Sequence, residues 1–126
     1  MTDKFSEPLK LDGDGKLNVL VIDSGISMHP NMSDITILPT GFNYQNSLDD
    51  VVDFIGHGTA VTSLIVKDIE ELTIYVLKLF NELFECTISK LIDALSYIEK
   101  NNIYDVINMS LGITMFEERS QFIMTP

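Results

Sequence analysis

Leu17-Asn18-Val19-Leu20-Val21-Ile22-Asp23-Ser24-Gly25 decides the fold. The nearly continuous apolar run over residues 17–22, rich in branched side chains and bounded by turn signals, reads as a strand buried on both faces. A strand of that kind belongs in a parallel sheet covered by helices. The run stops at an acidic residue, and open α/β sheets place their sites at the carboxyl ends of strands. Asp23 is therefore either a site residue or a helix-capping, turn-forming aspartate, and its position alone leaves both open.

Working outward, the next informative stretch is Phe54-Ile55-Gly56-His57-Gly58-Thr59-Ala60-Val61-Thr62-Ser63-Leu64-Ile65. A histidine between two glycines opens an apolar pattern of helical spacing at Ala60, Val61, Leu64 and Ile65. The glycines permit a sharp turn and a close ligand, and the helix mouth is expected to offer unpaired N–H groups. His57 is again either structural or an imidazole held for chemistry.

Further on, Leu72 to Phe80 reads as a second core strand. Thr87 is a suitable N-cap for a helix to about Lys100, with Ile88, Leu91, Ile92, Leu95 and Ile98 on one face. Asp105-Val106-Ile107-Asn108-Met109 is a third core strand. Between the first strand and the His57 helix, Ile35 to Leu38 and Gly41 to Tyr44 are expected as short strands, His29 as a turn residue, and Asn46 to Asp53 as an acidic loop. Strand, helix, strand, helix, strand predicts an α/β fold: a three-layer parallel sheet with flanking helices.

Composition bounds the function. The chain has 126 residues, enough for one modest domain, and its 45% hydrophobic content is too high for disorder. A formal net charge of −11 argues against a nucleic-acid partner, which needs a basic face. No apolar run approaches the ~20 residues of a membrane span, and no apolar signal region follows Met1, so a cytoplasmic location is expected. Cys86 is the single cysteine, so no internal disulfide can form, and no local motif marks it as a nucleophile. No cofactor is expected. No glycine-rich phosphate loop follows a strand, no ligand spacing suggests zinc, and Asp12-Gly13-Asp14-Gly15 lacks the distal glutamate of a calcium loop.

Asp23, His57 and Ser110 now fall on one rim. In that setting the sequence resembles the subtilisin-like serine peptidases. Val19 to Ile26, with His29-Pro30 after it, is similar to their aspartate motif, and Gly56-His57-Gly58-Thr59 to their histidine motif. Tyr75 to Phe80 resembles the next core strand. Asp105 to Gly112 resembles the segment that binds the substrate backbone. The resemblance implies that Asp23 orients His57, and that His57 takes a proton from a serine and returns it to the leaving amine. It implies that Ser110, Leu111 and Gly112 pair with an extended substrate as an added strand does, with the loop Asn81 to Cys86 on the peptide's other side.

Two departures stand out. Ala60 and Ser63 replace a histidine and a glycine common in the family. More seriously, the family's oxyanion-donating asparagine and its serine in a Gly-Thr-Ser context have no counterpart after Gly112. Ser110 matches the substrate strand, Ser24 merely follows the aspartate, and Asn108 matches strand interior. Removing the nucleophile of such an enzyme costs about a million-fold, so the chain alone is expected to be inactive.

The resulting expectation is an N-terminal arm over residues 1–16, the N-terminal part of a subtilisin-like, truncated peptidase domain over 17–112, and a tail over 113–126. No propeptide-sized segment precedes Leu17, which suits an intracellular member. The strand at 105–109 is expected to be an unpaired apolar edge, open to a complementing C-terminal half or to self-association. Residues 117 to 123 are expected either to begin a helix or to fold back as a cover. Expected partners are a peptide or protein substrate, with no nucleic acid and no membrane. The alternative function is a non-catalytic module that holds an extended peptide or a partner.

Overall fold

The computed structural model describes residues 16–69, 71–109, 112–115 and 122–125, with the last two segments and Asn31 described as backbone only. The run that opens the sequence argument is β1, Leu17–Asp23. It lies inside a four-stranded sheet with β2 (Thr36–Pro39), β3 (Leu72–Lys78) and β5 (Val106–Met109), in the order β2-β3-β1-β5. All three pairings are parallel, with Leu17 opposite Leu72, Val19 opposite Val106 and Thr36 opposite Thr73. A short β4 (Cys86–Thr87), β6 (Gly112–Met115) and β7 (Phe122–Thr125) form a second, antiparallel sheet in the order β4-β7-β6.

Period-two alternation divides the core into two layers. Val19 and Val21 of β1 join Leu72, Ile74 and Val76 of β3 in one buried cluster, against which Val61, Ile65 and Val66 of α1 (His57–Lys67) pack. Leu20 and Ile22 join Leu77, Leu79 and Phe80 in the other, with Ala94 and Ile98 of α2 (Ile88–Lys100). The two helices therefore cover opposite faces, which is the three-layer α/β arrangement that a doubly buried strand requires. The chain passes from β1 to β3 over one face and from β3 to β5 over the other. Both connections leave from the carboxyl edge beside β1. Thr87 caps α2 as expected, its hydroxyl accepting from the Lys90 N–H at 3.1 Å.

One expectation fails, and of the two alternatives for the tail the helical one is excluded at Phe122-Ile123. Gly41 to Tyr44 is not a strand but a 3-10 turn over Phe42–Tyr44. Gly41, Asn43 and Tyr44 all have positive φ, which breaks an extended ladder. The buried Phe42 ring then packs edge-on against Tyr97, whose hydroxyl donates to the Thr40 carbonyl. Nor does the tail's Phe122-Ile123 belong to a helix, since both residues lie in β7. Residues 117–121 fall outside the described residues, as does the arm over 1–15. Among the described residues β5 has β1 as its one strand partner, and Val106, Ile107 and Met109 are exposed along it. None of the described helices is long and apolar enough to cross a membrane.

Leu20 is fully buried where β1 meets the α2 layer. Leu20→Ala should lower unfolding free energy by about 2–5 kcal/mol, read from the shift of the urea midpoint at unchanged slope.

Candidate active site

The site begins with a constraint on backbone. At the end of β1 the chain turns through Gly25, whose φ of +114° is open only to glycine. A Cβ there would sit 2.3 Å from the Val51 carbonyl oxygen. A Cβ on Gly58, in the first turn of α1, would sit 2.3 Å from the Gly25 carbonyl oxygen. Gly25 and Gly58 thus allow the strand end and the helix start to touch main chain to main chain. The space expected for a ligand at Gly58 is filled by the protein's own backbone.

That approach brings Asp23 to His57. Nδ1 of His57 lies 2.9 Å from each oxygen of the Asp23 carboxylate. The carboxylate is 1% exposed and the imidazole 38%. Asp23 Oδ1 also accepts the Ser24 N–H at 2.7 Å, while the Asp23 carbonyl accepts the N–H groups of Leu79 and Phe80. A carboxylate oxygen accepts, so the contact suits the tautomer with its proton on Nδ1, in which the free lone pair lies on Nε2 at the opposite edge.

The mouth of α1 is closed rather than open. Its second N–H, from Gly58, goes to the Ser24 hydroxyl at 2.9 Å. Its third, from Thr59, goes to Asp53 Oδ2 at 2.9 Å. Asp53 Oδ1 accepts from the N–H groups of Ile55 and Gly56 and from the Ser24 hydroxyl, and Oδ2 accepts from the Thr59 hydroxyl at 2.6 Å. The N–H groups of Gly58 and Thr59, expected to be unpaired, are therefore both in use, and the helix dipole is met by a buried carboxylate. Burial works against the charge on Asp53, but hydrogen bonds from Thr59, Gly56 and Ser24 outweigh it and hold the carboxyl down at about 2. Reading Asp53 as part of an acidic loop missed this role. The available signal was an aspartate three residues ahead of a glycine that opens a helix.

The same network disqualifies Ser24 as a nucleophile for His57. Its hydroxyl donates to Asp53 and accepts from Gly58, and the residue is 1% exposed. The loop Asn81 to Cys86 folds over its own asparagine, whose side-chain oxygen accepts from Leu83 and Glu85. Phe84, at φ +62°, places its ring 5.1 Å from the His57 imidazole and 5.5 Å from Phe80. The loop thus walls one side of the histidine before continuing into β4. Burial pushes the Cys86 thiol up, as befits a structural cysteine. Gly112 opens β6, opposite Thr125 of β7. Ser110 and Leu111 lie outside the described residues. Among the described residues no three His, Cys, Asp or Glu side chains gather as a metal site.

A buried carboxylate bonded to a partly exposed imidazole thus stands on the carboxyl rim of a parallel α/β sheet. The chain belongs to the subtilase family: the peptidase S8 family model matches residues 14–124, nearly its whole length. No curated protein and no solved structure matches it.

Gly58→Ala should separate α1 from β1, abolish the low-field imidazole N–H resonance of His57, and cost about 1–3 kcal/mol of stability. Asp53 supplies the acid sensitivity. Its folded pKa lies below its ordinary 3.8, so its contribution is complete above about pH 4 and is lost as pH falls through 2. Asp53→Asn should be less stable than the parent at pH 6 and lose less on acidification from pH 5 to 2, as followed by urea midpoints.

Proposed function

We propose that this chain supplies the aspartate and histidine of a subtilisin-like serine endopeptidase, and that the serine and the oxyanion donor come from a segment outside these 126 residues. The carrying observation is the 2.9 Å contact of His57 Nδ1 with both oxygens of a buried Asp23. In this role Asp23 fixes the tautomer that leaves Nε2 basic and stabilises the imidazolium formed when the ring takes the serine proton. The ring then returns that proton to the leaving amine, and water repeats the exchange on the acyl-serine. Ser110, Leu111 and Gly112 hold the substrate backbone. The apolar edge at β5 suits the completing segment, which would extend the sheet there, and it offers a second copy of this chain the same surface.

A second reading, a non-catalytic module that holds an extended peptide, draws on the engaged hydroxyl of Ser24. It leaves unexplained why a binder would bury a carboxylate against a histidine. We place the activity in the cytoplasm, in keeping with a chain that holds one cysteine.

Treating the native protein, isolated together with its partners, with a fluorophosphonate probe should label a serine on an associated segment and leave the isolated chain unlabelled. His57→Ala should slow that labelling by at least about 10⁴-fold. The absence of any labelled serine in the native assembly would defeat the proposal, and labelling of the isolated chain would overturn its inactivity.

A further inference from the structure

The antiparallel sheet holds an arrangement that the active-site geometry does not use. β4 and β6 are not paired with each other. β7 runs between them, antiparallel to both. Met124 stands opposite Cys86 on one side and Ile113 on the other, and Ile123 stands between Thr87 and Thr114. Successive main-chain N–H and C=O groups of a strand point alternately to its two neighbours, so β7 serves both ladders at once. With strands about 4.8 Å apart, β4 and β6 bound a slot one strand wide. Gly112 begins one wall of that slot. The other wall begins at Cys86, two residues after Phe84, whose ring packs on His57.

We infer that Phe122–Thr125 is an intramolecular occupant of the peptide groove, a cis strand that an extended peptide must displace before it can lie between β4 and β6. This rests on the reading of Gly112 and the Asn81–Cys86 loop as the substrate-binding walls. It deepens that reading in two ways. It gives the groove a built-in competitor, and it gives the chemistry of what the groove accepts: an extended, uncharged segment of the type Phe-Ile-Met-Thr, held through its main chain on both edges. A two-residue β4 is a weak partner, so the occupant can leave without unfolding the parallel sheet and its two helix layers. Covalent attachment through residues 116–121 gives the cis strand an effective concentration on the order of 1 mM. Against a free peptide of similar sequence and roughly 0.1 mM intrinsic affinity, that lowers apparent affinity by about tenfold, since only the vacated fraction is competent.

The test uses the full chain and a fluorescein-labelled Gln121–Pro126 peptide, followed by anisotropy. In the first variant, Ile123→Pro with Met124→Pro removes one N–H from each ladder of β7. It should bind the peptide about tenfold more tightly than the parent. In the second, Met124→Cys places a thiol opposite Cys86. Oxidation by diamide should close a disulfide, detected as a loss of two mass units, and the locked protein should no longer bind the peptide until it is reduced. Equal peptide affinity in the parent and the double-proline variant would overturn the inference. So would failure of the two thiols to join under conditions in which both react with a maleimide after unfolding. Both readouts are independent of any serine, so the groove proposal can fail while the endopeptidase reading stands, and the reverse.

Discussion

Two stretches of bare main chain in contact, Gly25 and Gly58, set the geometry on which the site depends. The contact lets the end of a buried strand meet the start of a helix without side chains between them. Everything near it follows. Asp23 ends the strand two residues before Gly25, and His57 enters the helix one residue before Gly58, so the two side chains reach each other. Ser24 and Asp53 then take up the helix N–H groups that the close approach would otherwise bury unpaired. A methyl group at either glycine conflicts with a carbonyl oxygen. The tolerance of the site to misplacement is therefore set by backbone, not by the strength of one hydrogen bond.

The sheet surrounding this contact is fit for the purpose because its strand β1 is buried on both faces. Val19 and Val21 face one helix layer and Leu20 and Ile22 the other, so β1 has no freedom to slide in register without turning its whole apolar set around. The second sheet is built differently. Its strands are short, its order places the chain's last described strand in the middle, and it stands beside the histidine through a single loop. A parallel sheet packed between two helix layers thus ends in the Asp23–His57 contact, and a lighter antiparallel one holds β7 between β4 and β6.

Much of this was legible from residue patterns. The doubly buried strands, the two helices and the placement of Asp23 and His57 on one rim follow from hydrophobic periodicity and from where polar residues interrupt it. The 3-10 turn at Phe42–Tyr44 was not legible, because three positive φ values in four residues include Asn43 and Tyr44, which an apolar alternation gives no reason to suspect. Asp53 was hidden for another reason. Its composition is that of a surface loop, and only the fold reveals that it turns inward to the helix start. The strand at Phe122–Thr125 escaped because a short apolar segment is equally consistent with helix, strand or cover until its partners are known. Two of the expected substrate-binding residues, Ser110 and Leu111, fall where the structure is not described.

The clamp at the foot of the central strand carries a consequence for the order of assembly. Asn18 and Asp105 exchange main-chain and side-chain hydrogen bonds across 87 positions, and the Asn18 amide also reaches Ile103. Asp23 and His57 are separated by only 34. Closing the longer loop costs about 0.8 kcal/mol more in chain entropy, and long-range pairing comes late for that reason. The aspartate–histidine pair is therefore favoured to form while the chain is still growing, with the fourth strand docking afterwards as a latch.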